Sequence, residues 1–218
     1  MTKVAIILSG AGVFDGSEIY ESVITLLRLD QLNVEVQCFA PDIPQMHVIN
    51  HISGEEMDET RNVLIEAARI CRGEIKPLEE AKVEDFDALI IPGGFGAAKN
   101  LSDFAVKGSD ACVQKDVLSF CHGMFNARKP VGLVCIAPAM APLIFWDKVH
   151  YTIGNDADTA NAIEAMGGCH DNCAVSEIVV DDDYMLVTTP AYMLASRISE
   201  AAAGINQLVD KVVELSND

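Results

Sequence analysis

The stretch Lys129-Pro-Val-Gly-Leu-Val-Cys-Ile-Ala-Pro-Ala139 decides how this chain is read. Pro130 cannot continue a preceding helix. Positions 131–134 form a short apolar run, which fits a strand buried on both faces of a parallel sheet. Cys135 closes the run, and 136–145 reads as a helix. A cysteine at a strand-to-helix turn meets unpartnered helical N–H groups and the positive end of the helix dipole, which favour a thiolate. The competing account is a buried thiol filling a core slot, as free cysteines commonly do.

Working outward, apolar runs at 3–8, 34–40 and 86–91 read as further buried strands. Each ends in turn chemistry: Ser9-Gly10, Pro41-Asp-Ile-Pro44 and Pro92-Gly-Gly-Phe-Gly96. Helices are expected from about 18 to 29, with Ile19, Val23, Leu26 and Leu27 as the inward stripe, and over about 58–70, 109–127, 159–166 and 193–215. Further strand signals lie at 149–153 and in a hairpin over 178–188 around an acidic turn. Alternating strands and helices predict an α/β fold with a mostly parallel sheet. A single domain over 1–218 is expected, with an inserted connection at about 41–62, long enough to suggest function.

In an open parallel sheet, ligands bind outside the carboxyl ends of the strands. Glu18 follows the first strand, so it is expected on the same rim as Cys135. Gly93 and Gly94 follow another strand and allow the backbone to approach a ligand with its N–H groups turned inward, as an oxyanion site requires. His51 is a candidate if the 41–62 connection folds over Cys135.

Composition narrows the classes. The 218 residues carry 33 acidic against 15 basic side chains, a formal charge of −18, which excludes a phosphate-binding nucleic-acid surface. No apolar stretch approaches the ~20 residues that span a bilayer, and the first apolar run reads as a strand, not a signal peptide. Seven scattered cysteines suit a reducing cytoplasm. Cys169 and Cys173 lack a second Cys/His pair nearby, so no metal is expected.

Together, Leu8-Ser-Gly-x-Gly-Val-x-Asp-Gly-Ser-Glu-Ile19, Val48-Ile-Asn-His51, Thr60-Arg-Asn-Val-Leu-Ile-Glu-Ala-Ala-Arg-Ile70, Pro92-Gly-Gly-Phe-Gly-Ala-Ala-Lys-Asn100, Cys135-Ile-Ala-Pro-Ala139 and Thr188-Thr-Pro-Ala-Tyr-Met193 resemble the DJ-1/PfpI, class I glutamine amidotransferase-like superfamily. The resemblance is to its ES1, or ElbB-like, branch. It implies a flavodoxin-like doubly wound sheet with Cys135 on a nucleophile elbow and Glu18 as its carboxyl partner. Gly93, Gly94 and the Ile136 N–H would form the oxyanion site. It also implies a homodimer and a glyoxalase-like lyase activity without glutathione, metal or other cofactor. A small carbonyl metabolite such as glyoxal would become a 2-hydroxy acid through a Cys135 hemithioacetal, with Glu18 moving the proton. The alternative is a non-enzymatic, redox-responsive or partner-binding protein. Ile136 stands where PfpI-type proteases carry histidine, and the C-terminal motif has none, which argues against a glutaminase or protease.

Overall fold

The computed structural model describes residues 1–146 and 148–217. In chain order the main elements are β1 (Lys3–Ile7), α1 (Ile19–Gln31), β2 (Glu35–Ala40), α2 (Val63–Ala67), β3 (Ile75–Pro77), β4 (Ala88–Ile91), α3 (Phe95–Lys99), α4 (Phe104–Lys107) and α5 (Lys115–Asn126). They continue with β5 (Val131–Val134), α6 (Ala141–Phe145), β6 (His150–Tyr151), α7 (Ala157–Glu164), β7 (Cys169–His170), β8 (Val179–Asp181), β9 (Leu186–Thr189) and α8 (Ile198–Leu215).

Seven strands form one sheet in the order β3-β2-β1-β4-β5-β9-β8, parallel except for the β8–β9 hairpin. The pair β6–β7 forms a separate small sheet. Strand alternation sorts the core into two layers. Ala5, Ile7, Leu89, Ile91, Val131 and Leu133 face Val117, Phe120 and Met124 of α5. Val4, Ile6, Leu8, Ala88 and Ile90 face Ile205, Leu208 and Val212 of α8. This is the flavodoxin-like doubly wound arrangement, with β5 inside the sheet between β4 and β9.

Several expectations need correction. In α1, Ile19, Val23 and Leu27 are exposed, whereas Glu21, Ser22, Thr25 and Leu29 are buried. The inward face is thus largely polar, because it lies over the site and packs on α8. After Cys135 there is no regular helix at first. Ala137–Met140 is a 3-10 turn, with Pro138 in it, and α6 begins only at Ala141. The helix expected from 58 starts at Val63, where the Asn62 side chain accepts the Ile65 N–H and caps it.

The 41–62 connection folds back on itself through bridges Pro44↔Asn62 and Ile49↔Glu56. It braces the 10–16 loop. Ile49 N–H donates to Asp15 Oδ2 at 2.7 Å, and Met46 N–H to Asn100 Oδ1 at 2.9 Å.

Candidate active site

Cys135 occupies the residue after β5 with φ of +64°. That conformation is costly for a residue with a Cβ, of order 1–3 kcal/mol, and is kept where the surroundings hold it. Its N–H donates to Thr189 O at 2.9 Å, tying the elbow to the end of β9. The side chain is 7% exposed and touches the mouth of a cavity.

The carboxyl group against the Cys135 thiol is that of Glu21. Glu21 is fully buried. Gly93 N–H donates to its Oε2 at 2.9 Å and Tyr192 N–H to its Oε1 at 3.2 Å. The expected partner, Glu18, is instead the N-cap of α1, and its Oε2 accepts the Glu21 N–H at 2.7 Å. Both carboxylates lie three residues apart on one first turn. The spacing is that of a capping box, but the Glu18 N–H is already held by Gly93 O at 2.9 Å. Glu21 is therefore free to turn inward to the cysteine.

The glycines act differently from expectation. A Cβ on Gly93 would stand 2.4 Å from Cys135 Cβ and 2.6 Å from Glu21 Oε2, so only glycine permits this approach. Because the Gly93 N–H holds Glu21, it is not an oxyanion donor. The Gly94 and Ile136 N–H groups both point at the Cys135 sulfur. They remain the pair able to stabilise negative charge there. Gly94 has φ of +94°, and a Cβ on it would collide with backbone at Gly16, Ser17 and Glu18.

Electrostatics follow from burial. Burial, then the nearby Glu18 charge, pushes Glu21 up to about 8, against the pull of its N–H donors and the thiol. Burial also raises Glu18, which its own helix's N–H groups partly offset. The Cys135 thiol is pushed well above its ordinary range by burial and next by Glu21. The expectation of a free thiolate at neutral pH is thereby reversed: a 3-10 turn supplies too little dipole to compensate a 7% exposed sulfur.

His51 does not join the site. Its Nε2 accepts the Phe14 N–H at 3.3 Å, its Nδ1 lies 3.0 Å from Ile49 O, and its ring packs on Phe14. It fastens the 41–62 connection to the glycine loop, and among the described residues no histidine lines the cavity.

The cavity beside Cys135 measures about 260 Å³. Glu18, Gly94, Ile136 and Tyr192 line it near Cys135, and Val13, residues of α3, α4 and α7, and Met193 line the remainder. The sequence reading missed Glu21, Tyr192 and these wall residues. Glu21 had one legible signal: with Ser22, Thr25 and Leu29 it forms a second stripe at helical spacing.

No protein-family model matches the chain. Relatives do. The mitochondrial ES1 protein homolog of Rattus norvegicus is 45% identical over 98% of this chain and 84% of its own length. The human mitochondrial glutamine amidotransferase-like class 1 domain-containing protein 3 is 46% identical over 98% of this chain and 83% of its own. The chain belongs to the ES1 family. This is the ElbB-like branch of the DJ-1/PfpI superfamily. An Ehrlichia chaffeensis protein described as an isoprenoid biosynthesis protein with an amidotransferase-like domain superposes with a TM-score of 0.92. It is 38% identical, and the match covers 99% of each chain. Drosophila melanogaster DJ-1beta shares the fold alone, at TM-score 0.55 and 15% identity over 99% of this chain and 96% of that one.

The relatives correct the cytoplasmic expectation. The rat, human and Danio rerio ES1-family proteins are all named mitochondrial. Free cysteines indicate only a reducing environment, which is not unique to the cytosol. Among the described residues, no helix is long and apolar enough to cross a membrane.

Proposed function

We propose that this ES1-family protein is a cofactor-independent, glyoxalase-like enzyme that converts a small dicarbonyl to a 2-hydroxy acid. The supporting observation is the Cys135 thiol held against the buried Glu21 carboxyl, beside a cavity that a second carboxyl, Glu18, also lines. Two carboxyls in different environments allow two proton roles.

Glu21 ionises near pH 8, and its carboxylate takes the Cys135 proton as the sulfur attacks. The developing charge on sulfur lies under the Gly94 and Ile136 N–H groups. The sulfur bonds to one aldehyde carbon of glyoxal, and the carbonyl oxygen takes the proton retained by the pair, giving a hemithioacetal. Glu18 takes the hydrogen of that carbon as a proton and delivers it to the second carbon through an enediol, while the hydroxyl proton passes to the second oxygen. The product is a thioester. Water hydrolyses it, releasing glycolate and restoring the thiol. One carbon is oxidised and the other reduced, so no external oxidant enters.

Purified wild type, Cys135→Ala and Glu18→Gln should be compared for glycolate formed from glyoxal. Cys135→Ala should fall to background and Glu18→Gln by about 10²–10⁴-fold. Equal turnover by all three would overturn the assignment.

The same reading includes a homodimer. Ile19, Tyr20, Val23 and Leu27 leave an apolar stripe on α1 that is about half exposed. Arg61, Glu66 and Arg69 lie beside it. Such a face can pair with its own copy, apolar stripe to stripe.

A further inference from the structure

We infer that the substrate of this site is a 2-oxoaldehyde carrying a neutral, apolar substituent of about ring size, and not the two-carbon dicarbonyl itself. The inference rests on the proposed carbonyl chemistry at Cys135 and adds the identity of the group attached to it.

The first argument is volume. The cavity measures about 260 Å³. An apolar cavity of about 150 Å³ is already large enough to take up benzene. Glyoxal, with two carbons and two oxygens, would leave most of the space beside Cys135 unfilled.

The second argument is the chemistry of the walls. Phe104 and Ala105 of α4, Ala98 of α3, Ile136 and Met193 carry no polar side-chain atom other than a thioether. Phe104, Ile136 and Met193 also pack on the small core of Tyr151, Ile153, Ala160 and Ile163, so this wall is backed by buried side chains. Among the described residues, no lysine, arginine or histidine lines the cavity; Glu18 brings a carboxyl, and Thr159 and Tyr192 bring neutral polar side chains. A phosphorylated or carboxylated carbonyl would therefore bury its charge with no cation to meet it, and beside a like charge. An aryl or branched alkyl group meets none of these penalties and gains from leaving water.

The chemistry balances as for glyoxal. The aldehyde carbon bonds to sulfur and ends as the carboxylate, the ketone carbon is reduced to the alcohol by the transferred proton, and one water is consumed. For phenylglyoxal the product is mandelate.

The test compares kcat/KM for phenylglyoxal and glyoxal in wild type, Cys135→Ala and Ala105→Trp. Ala105 is exposed at the cavity rim, so a larger side chain there intrudes on the space without entering the core. Wild type should favour phenylglyoxal at least about tenfold, and Ala105→Trp should lower that ratio by a similar factor. Equal or better use of glyoxal by wild type would overturn the inference and leave the proposed activity standing. If wild type turns over neither compound, the proposed activity fails, and binding decides the inference. Saturable binding of unreactive acetophenone to Cys135→Ala, weakened by adding Ala105→Trp, would still support an apolar subsite. No binding would overturn it.

Discussion

Glu21 carries a proton balance that can be read at the level of one residue. Its carboxyl is fully buried and raised to about 8, whereas in an unfolded chain it would titrate near 4.5. The native state therefore holds a proton that the unfolded state releases over this interval. Stability is greatest below about pH 4.5 in this contribution and is lost as pH rises through about 8. The loss amounts to a few kcal/mol at most. Activity runs the opposite way, because the nucleophile requires the pair to lose one proton. Glu21→Gln cannot ionise, so thermal unfolding of that variant should lose much of this pH slope between pH 5 and 8. An unchanged slope would assign it elsewhere. The same close contact makes Gly93→Ala informative: its Cβ would stand 2.4 Å from Cys135 Cβ and 2.6 Å from Glu21 Oε2, so the thiol–carboxyl pair must shift, and turnover should fall at least about 10²-fold in protein whose circular dichroism matches wild type.

At the level of elements, strands were the most legible part of the sequence. The runs at β1, β4 and β5 are apolar on both faces because helices cover both faces of a parallel sheet. The elbow cysteine and the Gly93-Gly94 loop were legible because each follows such a run. Helix α1 departs from its hydrophobic pattern, because its apolar stripe faces outward. Its buried face carries Glu21, Ser22 and Thr25, and no local pattern reveals that a site and not a core lies beneath them. The role of Tyr192 was hidden for a related reason, since it acts through its backbone N–H. The exposed stripe now makes its own prediction. Light scattering should find wild type dimeric, and Val23→Asp with Leu27→Asp monomeric, still folded because both side chains are about half exposed in the single chain. A monomeric wild type at tens of micromolar would contradict the pairing.

Across the whole molecule, the site is assembled from connections far apart in sequence. Glu18 and Glu21 enter after β1, Gly93 and Gly94 after β4, Cys135 after β5 and Tyr192 after β9. All four strands end on one edge of a sheet whose order brings β1, β4, β5 and β9 side by side. That is why the sequence disclosed the rim but not which carboxyl meets the thiol: Glu18 and Glu21 differ by under one helical turn, and the Gly93 and Tyr192 N–H groups that hold Glu21 separate them. The account stands most directly on this assignment. Alkylation of Cys135 by iodoacetamide, followed by peptide mass across pH 5–11, tests it in wild type, Glu21→Gln and Glu18→Gln. In wild type the rate should still be climbing above pH 9, the ordinary thiol value, because burial and Glu21 hold the thiol up. Glu21→Gln should shift the profile to lower pH, because it removes the like charge that raises the thiol, while Glu18→Gln should move it far less. A profile that moves with Glu18→Gln and not with Glu21→Gln would contradict the Cys135–Glu21 pair.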